Sequence, residues 1–191
     1  QLGVPESSRV LLFVGSGFER KGVPQMLEAL AQPALAQAEL WVIGKDRHAK
    51  RLQKRAARLG VASRVRFLGP KKDVAPYLGA ADVVWVPSVP TAQYSNTAVA
   101  TKLFEGMAMG LAALVSDLPG RGDIVRTERC GLAVEPNVQG HLAGVRRLLA
   151  RRADLPGMGA RARAAVARRY SWEAVERDLV DFYGALCSGP G

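Results

Sequence analysis

The chain has 191 residues, of which 48% are hydrophobic and 23% charged, and its formal net charge is +10. This balance is typical of a folded globular domain and excludes disorder along the whole chain. No apolar run reaches the roughly 18 residues that a membrane-spanning helix needs. The first residues, QLGVPESSRV, have neither the basic nor the apolar region of a signal peptide, so we expect none.

Six short apolar runs, each bounded by Gly, Asp or Pro, are predicted to be β-strands. In chain order they are VLLFVGS, ELWVIG, RVRFLG, DVVWVP, AALVSD and GLAVEP. Consecutive apolar positions are typical of parallel strands that are covered on both faces. Helical patterns separate the runs, over residues 24–32, 47–59, 74–80, 98–109, 120–127 and 138–152. The alternation predicts an α/β domain with a Rossmann-like open parallel sheet of about six strands and helices on both faces.

The strands stop after residue 155, and two helical patterns follow over residues 158–169 and 172–186. Ser171 is a good N-cap for the second helix, and Trp172 is predicted to pack that helix against the sheet. We therefore predict a Rossmann-like domain over residues 1–155 and a helical tail over residues 156–191 that packs on the sheet or on another domain.

Two histidines and two tryptophans have simple structural interpretations. His48 and His141 lie in helical patterns and are predicted to be solvated or helix-capping rather than catalytic. Trp41 and Trp85 lie in apolar strand patterns and are predicted core residues.

The positive charge is carried mostly by arginines in two helical stretches, DRHAKRLQKRAARLG and RRLLARRADLPGMGARARAAVARR. Nucleic acid, an anionic membrane surface and phosphorylated small molecules would all suit such a charge. Neither stretch has aromatic residues between its cations for stacking on bases, so we favour solvated helix faces, with a membrane-facing surface as the next alternative. Cys130 and Cys187 are far apart in the sequence and are predicted to be free thiols of a cytoplasmic protein.

The loop after the first strand, GSGFERKG, is a candidate phosphate-binding loop, because ligands bind at the carboxyl ends of strands in open parallel sheets. Gly15 and Gly17 let backbone amides approach a ligand, and Arg20 and Lys21 add two positive charges. The dinucleotide fingerprint would need glycine in place of Arg20, and a P-loop would need Ser or Thr after Lys21. A glycine-rich turn alone leaves open that the loop is only a turn.

The loop after the fourth strand, VPSVPTAQYSNTAVATKLFEG, is long for a connection in this fold. Ser95, Asn96 and Thr97 are predicted to cap the next helix, whose N-terminal amides would face the same crevice as Lys21. Glu105 lies about two turns into that helix. It is either a buried carboxylate that requires a partner or a glutamate on a solvated helix face.

Six segments together resemble the glycosyl transferases group 1 family, which are retaining nucleotide-sugar enzymes of the GT-B fold. They are FVGSGFERKGV, VIGKD, RVRFLGPKKDVAPYLGAADVVWVPS, KLFEGMAMGLAALVSDLPG, CGLAVEP and RYSWEAVERDL. They occur in the family's order and spacing over nearly the whole chain. The Arg-Lys pair in GSGFERKGV is most similar to the branch of lipopolysaccharide-core glucosyltransferases.

The resemblance implies a site for a nucleotide-diphosphate sugar, with a UDP-sugar favoured. No metal is expected, because no Asp-rich cluster stands at the phosphate site, and no other cofactor is expected. Lys21 and Arg20 would grip the pyrophosphate, Glu105 would bind the ribose hydroxyls, and these three are the candidate catalytic residues. The loop over residues 69–74 would hold the base, with Pro70 and Val74 against its face, and amides near Ala100 and Thr101 would contact the phosphates. The other implied binding residues are Gly15, Ser16, Gly17, Gly44, Lys71, Asn96 and Thr97.

The sequence departs from the family pattern at two positions. Ser16 stands where the family often has arginine, and Thr97 stands where the first of two paired glutamates would contact the donor sugar. The match is to the C-terminal, donor-binding half of a GT-B enzyme. We therefore expect this half to depend on an N-terminal acceptor domain, which the chain lacks, and to be inactive alone.

The resemblance implies transfer of a hexose to an envelope polysaccharide, lipopolysaccharide or lipid-linked glycan. The full enzyme is expected in the cytoplasm, with a peripheral place at the inner membrane, and no nucleic-acid partner is expected. The alternative is a non-catalytic nucleotide-binding module, which Thr97 favours. A nucleic-acid-binding domain that uses the positive charge is a third class.

Overall fold

The computed structural model describes residues 8–88 and 99–187. Its strands are β1 (Arg9–Val14), β2 (Ala38–Ile43), β3 (Val65–Gly69), β4 (Val83–Val86), β5 (Ala112–Ser116) and β6 (Gly131–Val134). All pair in parallel, in the order β3-β2-β1-β4-β5-β6. Each predicted apolar run supplies one strand, which confirms the α/β class and the open parallel sheet.

All the predicted helices occur in the structure. They are α1 (Val23–Leu30), α2 (Ala49–Arg58), α3 (Ala75–Gly79), α4 (Thr101–Ala108), α5 (Arg121–Thr127), α6 (Val138–Ala150), α7 (Leu155–Ala165) and α8 (Trp172–Cys187). The largest difference is in α7, which begins at Leu155 rather than at residue 158 and passes into a π-helical turn over Val166–Tyr170. The early start follows from Pro156, which the first helical turn tolerates, and from the burial of Leu155.

Successive residues of each strand pack on opposite faces of the sheet. In β1, Leu11 and Phe13 join the core cluster that lies under α1, α2 and α6, whereas Leu12 joins the cluster under α4 and α7. Because helices cover both faces, strand residues of both orientations are buried, which explains the uninterrupted apolar runs. Trp41 and Trp85 are at most 1% exposed, so their predicted place in the core is confirmed.

The sheet changes its winding direction between β1 and β4. From β1 the chain moves outward through β2 to the edge strand β3, and from β4 it moves outward through β5 to β6. In open α/β sheets ligands bind at the carboxyl edge where the winding direction changes, so the ends of β1 and β4 mark the expected crevice. The loop from β4 to α4 includes residues 89–98, which lie outside the described residues.

The helical tail makes different contacts from those predicted. Trp172 is 68% exposed, so its predicted packing against the sheet is wrong. Ala174 is the buried residue of α8, and the helix contacts the π-helical turn Val166–Tyr170. Ser171 does cap α8, because its Oγ accepts a hydrogen bond of 3.3 Å from the amide of Ala174. The helical pattern therefore predicted α8 and its N-cap, but not which of its residues is buried.

Candidate functional site

Backbone hydrogen bonds join the loops that follow three neighbouring strands. The amide of Gly15 donates to the carbonyl of Ile43 at 2.8 Å, and the amide of Gly44 donates to the carbonyl of Gly69 at 3.0 Å. A side chain at Gly44 would overlap the carbonyl oxygen of Gly15, so the close approach of these two loops requires glycine. The predicted binding residues Gly15 and Gly44 are thus brought into contact.

Asp46 anchors the loop that carries Arg20 and Lys21, a role that its position after the second strand did not predict. Its carboxylate accepts hydrogen bonds of 2.8 Å from the amides of Phe18 and His48. Burial alone would raise the pKa of Asp46, but hydrogen bonds from the backbone amides lower it below its usual value. Phe18 is itself buried, so one end of the loop is fixed by packing and by hydrogen bonding.

Two lysines converge on the end of β1. A methyl group on Gly15 would lie 2.5 Å from the Nζ of Lys102 and 3.3 Å from the Nζ of Lys21. Lys21 is half-buried, whereas Lys102, in the first turn of α4, is only 7% exposed. Arg20 is exposed, and its guanidinium lies beside Gly17. The structure therefore brings Lys21 to the predicted loop and adds Lys102, which sequence reasoning missed.

The electrostatics of this cluster favour an anion. Burial lowers the pKa of Lys102 to about 7, and the hydrogen bond and charge of Lys21, with the charge of Arg20, act in the same direction. The negative charge of Glu105 raises the pKa of Lys102. The Nζ of Lys102 also lies 4.9 Å from the centroid of the Phe13 ring, an approach that favours its charged form. A group with several negative oxygens would relieve the repulsion between these cations.

The N-terminus of α4 lies beside the same cluster. Ala100 is its N-cap in extended conformation, with no hydrogen bond from its side chain, and the first turn contains no acidic residue. Its first amides and the positive end of the helix dipole are suited to an anion. Ser95, Asn96 and Thr97, the predicted caps, lie outside the described residues.

Glu105 is exposed, which settles the choice between the two interpretations of this carboxylate. Leu103 and Met107 of α4 are fully buried in the core, and Glu105 lies on the opposite side of the helix. It is one turn beyond Thr101, which is also exposed. The carboxylate of Glu105 is hydrated when the site is empty. It can accept hydrogen bonds from a molecule that binds in the crevice.

The loop after β3 holds the residues predicted to contact a base. Pro70 and Lys71 are exposed, and the Nζ of Lys71 lies 5.6 Å from the centroid of the Tyr77 ring. Val74 is half-buried and packs against the core cluster that Ala100 also contacts. These residues are therefore on the α4 face of the sheet.

An open cavity of about 430 Å³ separates the loops after β1 and β2. Its lining residues are Ser16, Gly17, Glu19, Arg20, Lys45, Asp46, Arg47 and His48. Glu19 is paired with Arg51, and Asp46 is occupied by backbone amides. The net charge of the lining residues is therefore positive.

His141 is buried, so its predicted solvated or capping role is wrong. Its Nδ1 accepts a hydrogen bond of 3.0 Å from Nε1 of Trp85, and its Nε2 lies 3.0 Å from the Oγ of Ser116. Ser116 in turn exchanges hydrogen bonds with the backbone of Ser88 at the end of the fourth strand. Asn137 caps α6 instead. The error arose because α6 lies across the sheet and turns position 141 toward the core.

Residues 8–88 and 99–187 meet the requirements of neither a metal site nor a membrane-spanning helix. Within these ranges there is no group of three or more His, Cys, Asp or Glu side chains that could hold a metal ion. Nor does any helix there have the length and apolar character needed to cross a membrane. Cys130 is buried and Cys187 exposed, and both are free thiols.

Comparison with known proteins identifies the family. The sequence profile described as "Glycosyl transferases group 1" matches residues 8–151. The lipopolysaccharide glucosyltransferase WaaG of Escherichia coli (strain K12) is 33% identical over 149 residues, which are 76% of this chain and 38% of that protein. This similarity agrees with the branch that the Arg-Lys pair indicated.

Solved structures give the same result for the fold. A crystal structure of WaaG, a glycosyltransferase involved in lipopolysaccharide biosynthesis, superposes with a TM-score of 0.79 at 28% identity, covering 92% of this chain and 47% of that one. Anabaena HepE, solved with UDP and glucose, has a TM-score of 0.82 at 20% identity, with coverages of 96% and 50%, and this likeness concerns the fold alone. The chain thus spans about half the length of these proteins or less. It belongs to the glycosyl transferases group 1 family and has the architecture of one half of a GT-B glycosyltransferase.

Proposed function

We propose that this chain is the donor-binding half of a retaining glycosyltransferase and holds a nucleotide-diphosphate sugar in the crevice between β1 and β4. The observation that carries the proposal is the convergence of Lys21 and the buried Lys102 on Gly15, beside the N-terminus of α4. Two ammonium groups and a helix dipole match the charge of a diphosphate. A turn with only a structural role would not need a buried cation.

Each part of the donor has a matching element. Lys21 and Arg20, with the first amides of α4, bind the diphosphate. The two oxygens of Glu105 accept hydrogen bonds from the two ribose hydroxyls, and residues 70–74 hold the base. These are the roles implied by the family resemblance, and the exposure of Glu105 and the charge at Gly15 support them.

The cations assist transfer by stabilising the leaving group. When the bond from the anomeric carbon to the diphosphate breaks, the nucleoside diphosphate keeps the electron pair and gains negative charge. The sugar joins the oxygen of an acceptor hydroxyl, which loses its proton. Fixed positive charge beside the diphosphate lowers the barrier to this step. Closure of an acceptor domain over the crevice would exclude water and complete the site.

The proposed substrates follow from the relatives. WaaG is a lipopolysaccharide glucosyltransferase, which supports transfer of a hexose to lipopolysaccharide or a related envelope or lipid-linked glycan. The fold shared with HepE, solved with UDP and glucose, makes a UDP-sugar the first donor to test. In this proposal the acceptor binds to a second domain, so this chain alone is inactive, and the complete enzyme works in the cytoplasm at the inner membrane.

Calorimetry of the chain with UDP, GDP, ADP and their sugar conjugates tests the donor site. We expect one diphosphate to bind, and Glu105→Ala to weaken its binding by more than about 1 kcal/mol, roughly fivefold, because the ribose hydroxyls lose their acceptor. Glu176→Ala, an exposed glutamate on α8, is the matched control and should bind normally. A folded wild-type chain that binds none of these molecules would overturn the proposal.

A non-catalytic nucleotide-binding module is the second candidate. The feature that favours it is Thr97, which stands where the resemblance places a glutamate contacting the donor sugar. Both candidates bind the nucleotide, so calorimetry does not separate them. Transfer of sugar from the bound donor by a protein that includes an acceptor domain would decide for the enzyme.

A further inference from the structure

The burial of Lys102 destabilises the folded protein, so folding stability does not explain why a lysine stands at this position. Lysine side chains are almost never fully buried unless they are paired. Lys102 is 7% exposed and takes part in none of the ion pairs among residues 8–88 and 99–187. A buried ammonium beside other cations costs folding free energy, and such groups cluster at functional sites.

The groups that face Lys102 come from three elements. The loop after β1 contributes Lys21 and Arg20, β1 contributes the ring of Phe13, and α4 itself contributes Glu105. Among the groups that shift the pKa of Lys102, Glu105 contributes the negative charge, and it is exposed to solvent. The balance of charge around this ammonium therefore depends on whether an anion occupies the site.

We propose that Lys102 is a third phosphate-binding cation, which is partly neutral in the empty site and takes up a proton from solvent when the diphosphate binds. This inference rests on the proposed donor site and adds a residue and a proton to it. A neutral amine in the empty protein avoids a second full charge beside Lys21. The proton returns to solvent when the diphosphate leaves.

The direction of the pH effect follows from the electrostatics. In the empty site the pKa of Lys102 is about 7, so the amine is largely neutral at pH 8. A diphosphate beside the ammonium favours the charged form and raises this pKa. Binding at pH 8 is thus accompanied by proton uptake, and affinity falls as pH rises above 7 because the neutral amine must first be protonated. At pH 6 Lys102 is already charged, and uptake disappears.

Calorimetry in two buffers with different heats of ionisation measures the protons taken up. UDP-glucose is the probe, because neither of its phosphates is a monoester, whereas the terminal phosphate of UDP titrates near pH 6. For the wild-type chain we expect uptake of about 0.5 to 1 proton per bound donor at pH 8 and close to none at pH 6. Tris and HEPES serve as the two buffers at pH 8, and MES and Bis-Tris at pH 6, since inorganic phosphate would compete for the site.

Three variants separate the role of Lys102 from a structural effect. Lys102→Met should weaken binding at least about tenfold and abolish proton uptake. Lys102→Arg keeps a charge that does not titrate in this range, so it should bind without uptake and with an affinity independent of pH. Lys54→Met, at an exposed position of α2, should keep both the affinity and the proton uptake of the wild type.

The outcomes also separate this inference from the proposed function. Binding of UDP-glucose by the wild type without proton uptake at pH 8, or uptake that survives in Lys102→Met, would overturn the role of Lys102 and leave the donor site standing. A wild-type chain that is folded by circular dichroism and binds no nucleotide would overturn both. The wild-type measurement decides the question even where a variant fails to fold.

Discussion

The carboxylate of Asp46 accepts a hydrogen bond of 2.8 Å from the amide of Phe18 and so fastens the loop after β2 to the loop that carries Lys21. Asp46→Ala leaves this amide and that of His48 without their acceptor. We expect the free energy of unfolding to fall by about 1 to 2 kcal/mol. Nucleotide affinity should fall about tenfold, because the phosphate-binding loop is no longer held in place. Urea unfolding and calorimetry measure the two effects.

Asp181→Ala provides the control, since Asp181 is exposed on α8 and is expected to change neither quantity. If Asp46→Ala unfolds and binds as the wild type does, the loop is held by Phe18 packing alone.

Gly15→Ala tests the close approach of the two lysines. Gly15 has φ +145°, which other residues rarely adopt, and the added methyl group would lie 2.5 Å from the Nζ of Lys102. We expect a loss of about 1 to 3 kcal/mol of stability and the loss of measurable UDP binding. Calorimetry and thermal unfolding check both.

Gly60→Ala is the matched control, because Gly60 also has a positive φ but no neighbour within 4 Å of the added methyl group. It should show the backbone strain without the binding defect. Equal binding by the two variants would contradict the placement of the phosphates at Gly15.

Much of the fold could be predicted from the sequence, because parallel strands covered on both faces produce short apolar runs that are easy to recognise. The loop with Arg20 and Lys21 was identified for the same reason, as it directly follows the first of these runs. Lys102 could not be found in this way. A lysine three residues before Glu105 in a helical pattern is equally typical of a solvated face, and only the β1–β4 pairing carries it to Gly15.

His141 should make the protein less stable in acid. The buried imidazole accepts a hydrogen bond from Trp85, and burial lowers its pKa to about 4, against 6.5 for the unperturbed side chain. Between these two values the unfolded chain binds the proton and the folded chain does not, so stability falls as pH decreases from 6.5 to about 4. At pH 5 the loss from this group is about 2 kcal/mol relative to pH 7.5.

Urea unfolding of His141→Gln at both pH values measures this contribution. The variant should lose less stability on acidification than the wild type. An identical acid response in the two proteins would assign the effect to other groups.

Lys102→Met should make the empty protein more stable. The folded pKa of Lys102, about 7, lies below its ordinary value of 10.5, so the unfolded chain binds more protons between these limits. The lysine therefore costs folding free energy at pH 7, on the order of 4 kcal/mol, and less as pH rises toward 10. Urea unfolding at pH 7 and pH 10 should show a stabilised variant whose advantage shrinks at the higher pH. A destabilised variant at pH 7 would mean that the lysine has a structural partner.

The pairing between β1 and β4 is the shortest in the sheet, and it divides the sheet into two halves of three strands. β1 pairs with β2 at six positions but with β4 at only two, Leu11 with Val83 and Leu12 with Val84. The strands β1 to β3 and β4 to β6 are each contiguous in the chain, and α1 packs against α6 across this pairing. A donor held between the loop after β1 and the first turn of α4 would add a further contact between the two halves. We therefore expect occupancy of the crevice to slow amide exchange along β1 and β4 first.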